Sequence, residues 1–184
     1  KIVIHINDTH PTLAIPELMR ILMDEEGLGW DDAWEIVTHV FAYTNHTVLS
    51  EAMEKWPLPM FKKVLPRIDM IVEEMNKRLM QYLESVYPND PAKHKYMAII
   101  ADNQVFMANV CLATCFAING VSKLHTEILE KDIFADYYRL NPGRFHAITN
   151  GITFRRWIMN CNPELTELIT KTIGMGWLKN SDEL

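Results

Sequence analysis

The sequence predicts a mixed α/β protein that is predominantly helical. Three observations carry this reading. Short β-branched runs, led by Ile2-Val3-Ile4-His5-Ile6, are separated by longer stretches with apolar residues at spacings of three and four. No series of alternating strands joined by tight turns occurs, which removes an all-β sandwich or barrel. Glycine is scarce, 7 of 184 residues, which removes a collagen-like or glycine-linker architecture.

Residues 1–7 alternate and predict a strand, ending in the polar cluster Asn7-Asp8-Thr9-His10-Pro11. The carboxyl ends of strands are where α/β folds place ligand contacts. A chain that opens inside a strand, with no initiator Met, is expected to be a piece of something larger. A helix follows, with Pro16 in its first turn, Leu18, Ile21 and Leu22 on its apolar face, and Gly27 and Gly29 closing it. Asp31 or Asp32 caps the next helix, whose apolar positions are Trp34, Val37, Val40 and Phe41. Residues 43–51 are polar and β-leaning and lead to a short helix start at Ser50 or Glu51, broken by Trp56-Pro57-Leu58-Pro59. The longest helix is expected over 61–87, with a break or kink at Pro66. Tyr87-Pro88-Asn89-Asp90-Pro91 is the clearest loop and the best internal linker. A helix apolar nearly all round is expected over 103–117, then a turn at Asn119-Gly120. A short helix over 122–130 turns Leu124, Ile128 and Leu129 inward. After a turn at Asn141-Pro142-Gly143, residues 145–149 predict a strand leading into Asn150-Gly151. Asn162-Pro163 opens the last helix, a cap followed by proline at the first position.

Hydrophobic residues make up 48% of the chain and charged residues 23%, normal for a globular protein and too apolar for disorder. Eighteen basic residues against 24 acidic ones leave a net charge of −6, which argues against a general nucleic-acid binder. Three cysteines without framework spacing suggest a reducing compartment, so a cytoplasmic location is expected. No apolar run reaches the length of a membrane span, and no signal peptide pattern opens the chain. Neither a membrane nor a nucleic acid is an expected partner.

Several clusters offer chemistry. Asp8 and His10 bring a carboxylate and an imidazole to a strand's end, where they could orient hydroxyls or share a proton; an Asx-turn before a helix is the simpler explanation. Asn45-His46-Thr47 with Glu51 and Glu54 suits a polyhydroxyl ligand, because each sugar hydroxyl both gives and takes a hydrogen bond; a polar loop with an exposed helix face is the alternative. Two glutamates three apart on one helix would stand side by side, not across a glycosidic bond. Cys111 and Cys115 are four apart on a buried helix, better read as small hydrophobes than as metal ligands. His5, His39, His94, His125 and His146 are scattered and read as structural, and the eleven methionines as mostly core. Arg155-Arg156-Trp157 could bind an anion or form a salt-bridged domain edge. No Walker A loop, Gly-x-Gly-x-x-Gly, Gly-x-Ser-x-Gly or His-Glu-x-x-His occurs.

Taken as strings, these clusters resemble the glycogen, starch and maltodextrin phosphorylases. The resemblance rests on Asn7-Asp8-Thr9-His10-Pro11, Ala14-Ile15-Pro16-Glu17-Leu18-Met19-Arg20, Ala33-Trp34-Glu35-Ile36 and Tyr43-Thr44-Asn45-His46-Thr47-Val48-Leu49 with Glu51-Ala52. It resumes at Ile118-Asn119-Gly120-Val121, His125-Thr126-Glu127-Ile128-Leu129, Thr149-Asn150-Gly151-Ile152-Thr153, Arg155-Arg156-Trp157 and Cys161-Asn162-Pro163. The resemblance implies a partial piece of a two-domain phosphorylase fold of the glycosyltransferase B type. Residues 1–148 would be the late part of the N-terminal domain and 149–184 the start of the C-terminal one. It implies phosphorolysis by orthophosphate of the terminal α-1,4-linked glucose of a glucan, releasing glucose 1-phosphate, with pyridoxal 5'-phosphate as cofactor and a homodimeric parent.

Residue by residue, the resemblance gives His46, Asn150 and Val121 to the glucose subsite. It gives Asp8 and His10 to the adjoining pocket, and Glu51 and Glu54 to a mobile loop and helix beside it. Trp157 would lie near the cofactor. The lysine that carries the cofactor, with its phosphate-binding loop, has no match here, so the chain alone is expected to be inactive. Three departures stand out. Ser50 and Phe154 replace prolines of the pattern, and Thr114-Cys115-Phe116 replaces a Gly-Ser-His run, losing a histidine expected close to the site. Two other readings are a stand-alone carbohydrate-binding module without catalysis, and a piece whose open sheet edge and apolar face promote self-association.

Overall fold

The computed structural model describes residues 2–184, so Lys1 lies outside it. Two compact units divide at Thr149 and Asn150.

The first unit is built on a four-stranded, all-parallel sheet in the order β1-β2-β6-β7. Its strands are β1 (Ile4–Asn7), β2 (Phe41–Thr44), β6 (Ala117–Gly120) and β7 (Phe145–Ala147). Register pairs Asn7 with Thr44, Thr44 with Asn119, and Gly120 with Ala147. The carboxyl ends of the four strands therefore share one edge of the sheet. Helices α1 (Ala14–Arg20) and α2 (Trp30–Val40) connect β1 to β2. Gly27, at φ +73°, reverses the chain after α1 and its π-helical extension, Ile21–Glu25. Gly29, expected to help close that helix, instead stands at the N-cap of α2, and Asp31 and Asp32 fall in its first turn, where acidic groups favour the helix dipole. Phe41 ends the helical pattern and begins β2; its ring is fully buried.

Leu65 separates α3 (Leu58–Val64) from α4 (Pro66–Val86), so the break expected at Pro66 is present. Ile68, Ile71, Val72, Met75 and Leu83 are the buried stripe of α4. The linker reading of 87–91 is corrected. Asp90 accepts the Lys93 amide and Pro91 starts α5 (Pro91–Met97), all inside the first unit.

No series of hairpins occurs among the described residues, but one short hairpin does. A small antiparallel sheet, β3-β5-β4, joins β3 (Lys55–Pro57), β4 (Ile100–Ala101) and β5 (Gln104–Phe106). Asp102 and Asn103 have positive φ, 48° and 59°, the left-handed pair that a two-residue hairpin needs. The helix expected over 103–117 is shortened to α6 (Met107–Thr114). Its apolar run did not separate helix from strand, and Ala117–Gly120 is the central strand β6, not a turn. α7 (Lys123–Ile128) and α8 (Ala135–Leu140) return the chain to β7. Leu124, expected to point inward, is exposed on α7, while Leu129 is buried in the core as expected. Met19, Met75, Met97 and Met107 are buried and Met23, Met53 and Met80 pack against the core, so most methionines serve it, while Met60, Met70, Met159 and Met175 are exposed.

The second unit contains a π-helical turn (Arg155–Asn160), α9 (Pro163–Ile173) and two 3-10 turns. Asn162 caps α9 through the Leu165 amide, with Pro163 at its first position, as expected. Trp177 is the buried side chain of this unit. No helix among the described residues is long and apolar enough to cross a membrane.

Candidate functional site

The site forms at the carboxyl edge of the parallel sheet, where each strand stops and turns polar. β1 ends in Asn7 and passes to Asp8, which adopts φ +59°, a conformation tolerated by Asp and few others. The Asp8 amide still donates to Thr44 O at 2.9 Å, extending the β1–β2 ladder, while its carboxylate accepts the Thr9 amide at 2.8 Å. β2 continues into Asn45, fully buried, whose amide donates to Asn119 O. Asn45 Nδ2 donates to the Tyr43 hydroxyl at 3.0 Å, and its Oδ1 accepts the Thr47 amide at 3.0 Å. One buried amide thus fixes the turn from which His46 projects into solvent. His46 Nε2 lies 2.6 Å from Asn7 Oδ1.

A polar chain crosses the sheet beneath this edge. His5 Nε2 is 2.6 Å from Thr44 Oγ1, which donates to Asn119 Oδ1 at 2.6 Å; Asn119 Nδ2 then donates to Gly120 O at 3.0 Å. Because the Thr44 hydrogen goes to Asn119, His5 must be the donor to Thr44. Three strands are therefore locked at their carboxyl ends by side chains as well as by their backbone.

Glu54 ties the loop after β2 back to β1. Its two oxygens accept from Thr9 Oγ1 at 2.7 Å and face His10 Nδ1 at 3.0 Å. The hydrogen bond that Glu54 accepts from His10, then the charge of Glu54, raise the His10 pKa above its ordinary 6.5. Thr9 is buried and in turn accepts Thr12 Oγ1 at its carbonyl. Glu54 also lines a cavity of 650 Å³ with Met53, Tyr96, Phe106, Phe134 and Tyr137. That lining is mostly apolar, whereas the sheet edge is rich in hydrogen-bonding groups.

Val121 follows β6 and is half-buried. Its amide donates to His125 Nδ1 at 3.1 Å, and Ser122 Oγ caps α7 by accepting the His125 amide. Gly120 packs against Thr126 so closely that an added Cβ would stand 2.5 Å from its Oγ1 and 3.0 Å from its Cα and N.

Asp8, His10, His46, Glu54 and Val121 therefore gather at one edge. Glu51 is exposed in the 3-10 turn Ser50–Ala52, where it faces Ser50 Oγ at 3.5 Å. Glu51 and Glu54 do not share a helix face, as their spacing suggested: the turn ends at Ala52 and the chain is extended beyond it. Asn150 and Trp157 are exposed residues of the second unit. Arg155 Nη1 donates to Leu178 O at 3.1 Å. Cys111 and Cys115 are buried free thiols and Cys161 an exposed one. The run Thr114-Cys115-Phe116 is corrected in place: it precedes the amino end of β6, whereas the site is at its carboxyl end. At about 3.3 Å per residue, Phe116 is about 16 Å from Val121 along the strand. Whereas Asn45 belongs to the cluster read from sequence as suited to a sugar, Asn7, Thr9 and Asn119 carry hydrogen bonds of the site without having been given a role there. Their signal was the polar content of the strand ends themselves.

Comparison with known proteins places this sequence in a family. The carbohydrate phosphorylase family model matches residues 1–184. The chain is 48% identical over 184 residues to a glycogen phosphorylase of Bacillus subtilis (strain 168), covering all of this chain and 23% of that protein. It is 46% identical over 187 residues to the muscle form of glycogen phosphorylase from Bos taurus and to the brain form from Rattus norvegicus, covering 22% of each. The chain thus spans under a quarter of the length of these relatives. With its whole length matched by the family model, the chain belongs to the carbohydrate phosphorylases.

Proposed function

We propose that this chain supplies part of the glucose subsite of an α-glucan phosphorylase, which cleaves a terminal α-1,4-linked glucose with orthophosphate to give glucose 1-phosphate. The observation that supports this most is the gathering of Asp8, His46 and Val121 at one carboxyl edge, in a chain matched throughout by the family. In this reading His46 and Val121 give the glucosyl unit one polar and one apolar wall, and Asn150 is assigned to that glucose by the resemblance alone. Asp8 and His10 border the adjoining pocket, and Glu51 and Glu54 belong to the loop beside it. Glu54 orders that loop by accepting from Thr9 while facing His10. Residues 1–148 would be the late part of the N-terminal domain and 149–184 the start of the C-terminal one. The parent would be a cytoplasmic homodimer.

Pyridoxal phosphate would serve the parent enzyme. It needs an amine for its aldehyde and several donors for its phosphate. Trp157, the residue expected beside it, is an exposed indole with a single N–H, and the neighbouring Arg155 is engaged with Leu178 O. These residues do not fit the cofactor by themselves.

Titration of the chain with glucose and maltooligosaccharides, followed by NMR, tests the subsite. Shifts centred on Asp8, His46 and Val121, weakened in His46→Ala, are expected; shifts confined elsewhere would sink the reading. No glucose 1-phosphate should form from glucan and phosphate. The stand-alone binding module is not favoured, because the relatives over this whole chain are glycogen phosphorylases. Self-association draws support from Ile2 and Val3, exposed beside the edge strand β1. Light scattering over a concentration series checks it, and a monomer at every concentration counts against it.

A further inference from the structure

His46 is exposed, yet its ring is held from one side. Nε2 lies 2.6 Å from Asn7 Oδ1, across the β1–β2 boundary where Asn7 pairs with Thr44. An amide oxygen has no hydrogen to give, so a contact this short requires His46 Nε2 to carry one. In a neutral imidazole the other nitrogen, Nδ1, is then a bare acceptor. The anchors on both sides are firm. Asn7 ends a strand whose next amide, that of Asp8, donates to Thr44 O, and His46 follows Asn45, which is buried and hydrogen-bonded through both side-chain atoms.

We propose that Asn7 is a positioning residue for His46: its side-chain oxygen fixes the proton on Nε2 and the plane of the ring, so that Nδ1 meets the ligand as an acceptor. An acceptor nitrogen favours a hydroxyl or N–H turned towards it and disfavours a group that can only accept. His46 would thus dictate the direction of one hydroxyl of the bound molecule, not merely touch it. The tautomer lock stands on the Asn7–His46 geometry; its use by a sugar rests on the glucose-subsite reading above.

Long-range proton–nitrogen NMR correlations on the full 184-residue chain, labelled at histidine and held at pH 8.5, read the tautomer directly. His46 should show the Nε2–H form alone. Asn7→Asp, which keeps an accepting oxygen, should preserve it, and Asn7→Ala should give a mixture of both forms. Glucose affinity should fall about tenfold in Asn7→Ala, the loss of about one oriented hydrogen bond, and recover in Asn7→Asp. An Nδ1–H form in the unmodified chain, or the same tautomer ratio in the unmodified chain and in Asn7→Ala, overturns the proposal. If the lock is lost in Asn7→Ala but glucose moves no His46 signal in any variant, the positioning role stands and the sugar reading falls.

Discussion

Replacing Gly120 with Ala probes whether the site's third strand is held by close backbone approach. Gly120 is buried at the end of β6 and does not occupy the left-handed region, so only the space around it matters. The added methyl would meet Thr126 Oγ1 at 2.5 Å, and Thr126 Cα and N at 3.0 Å. The hydroxyl could rotate, but it donates to Ser122 O at 2.8 Å, a bond that helps close the first turn of α7. The Cα and N contacts can be relieved only by moving the helix off the strand. Overpacking of this kind costs about 1–3 kcal/mol. For a chain of this length a 2 kcal/mol loss lowers Tm by about 4–8 °C.

Thermal and urea unfolding of Gly120→Ala, Thr126→Ala and the double variant make the assay. The double variant should recover less than half of the loss, because the hydroxyl is removed while the backbone contacts stay. Gly151→Ala is the control: nothing stands within 4 Å of its added Cβ, so it should change stability by under about 0.5 kcal/mol. Gly120→Ala within about 0.5 kcal/mol of the unmodified protein, or full rescue by Thr126→Ala, would refute the close-approach argument.

Glu54→Gln should lower the His10 pKa towards 6.5, read from its ring signals in an NMR titration. Because the folded pKa is raised, the His10–Glu54 contact contributes most below the ordinary imidazole value and is lost as pH rises through the raised one. Asn45→Ala should cost about 2–4 kcal/mol in urea unfolding, since it strands the buried Tyr43 hydroxyl and frees the Thr47 amide. A thiol reagent should label Cys161 in the native chain and all three cysteines only in denaturant. A hydrogen bond with Cys111, and then burial, hold the Cys115 thiol well above its ordinary range, which further slows its reaction.

The mixed α/β framework was legible because its helices carry a strong 3-4 stripe, as α4 does, and because β1 ends in an abrupt polar cluster. What escaped was structure made by pairing over distance. β3 runs through Trp56-Pro57, a local breaker, and is a strand because Val105 lies opposite Trp56. Ala117–Gly120 reads as the end of a helix followed by a turn, and becomes a strand because β2 and β7 flank it. At the site, His46 and Glu54 were visible as residue types suited to sugars. The roles of Asn7, Thr9 and Asn119 were not, since each depends on a partner between 39 and 75 residues away.

The position of Phe116 separates packing from recognition. In the family pattern its run carries a histidine, and the loss would bear on selectivity if that side chain faced the ligand. Here Phe116 sits at the α6–β6 joint, its amide bonded to Phe41 O at the start of β2. The joint is dense: Arg144 donates to Cys115 O at 3.0 Å and to Leu112 O, and Cys115 is fully buried. Burial also lowers the Arg144 pKa, so its charge already works against a low-dielectric surrounding. A second cation would be disfavoured beside it, and Phe116 is half-buried at this joint. Phe116→His should therefore cost about 1–2 kcal/mol of stability, the apolar burial it gives up. It should leave glucose affinity within about twofold, because the ligand edge is at the opposite end of β6, about 16 Å away. Calorimetric titration of the variant decides the matter. A tenfold gain or loss in affinity with stability unchanged would mean that this joint reaches the site by a route the strand geometry does not contain.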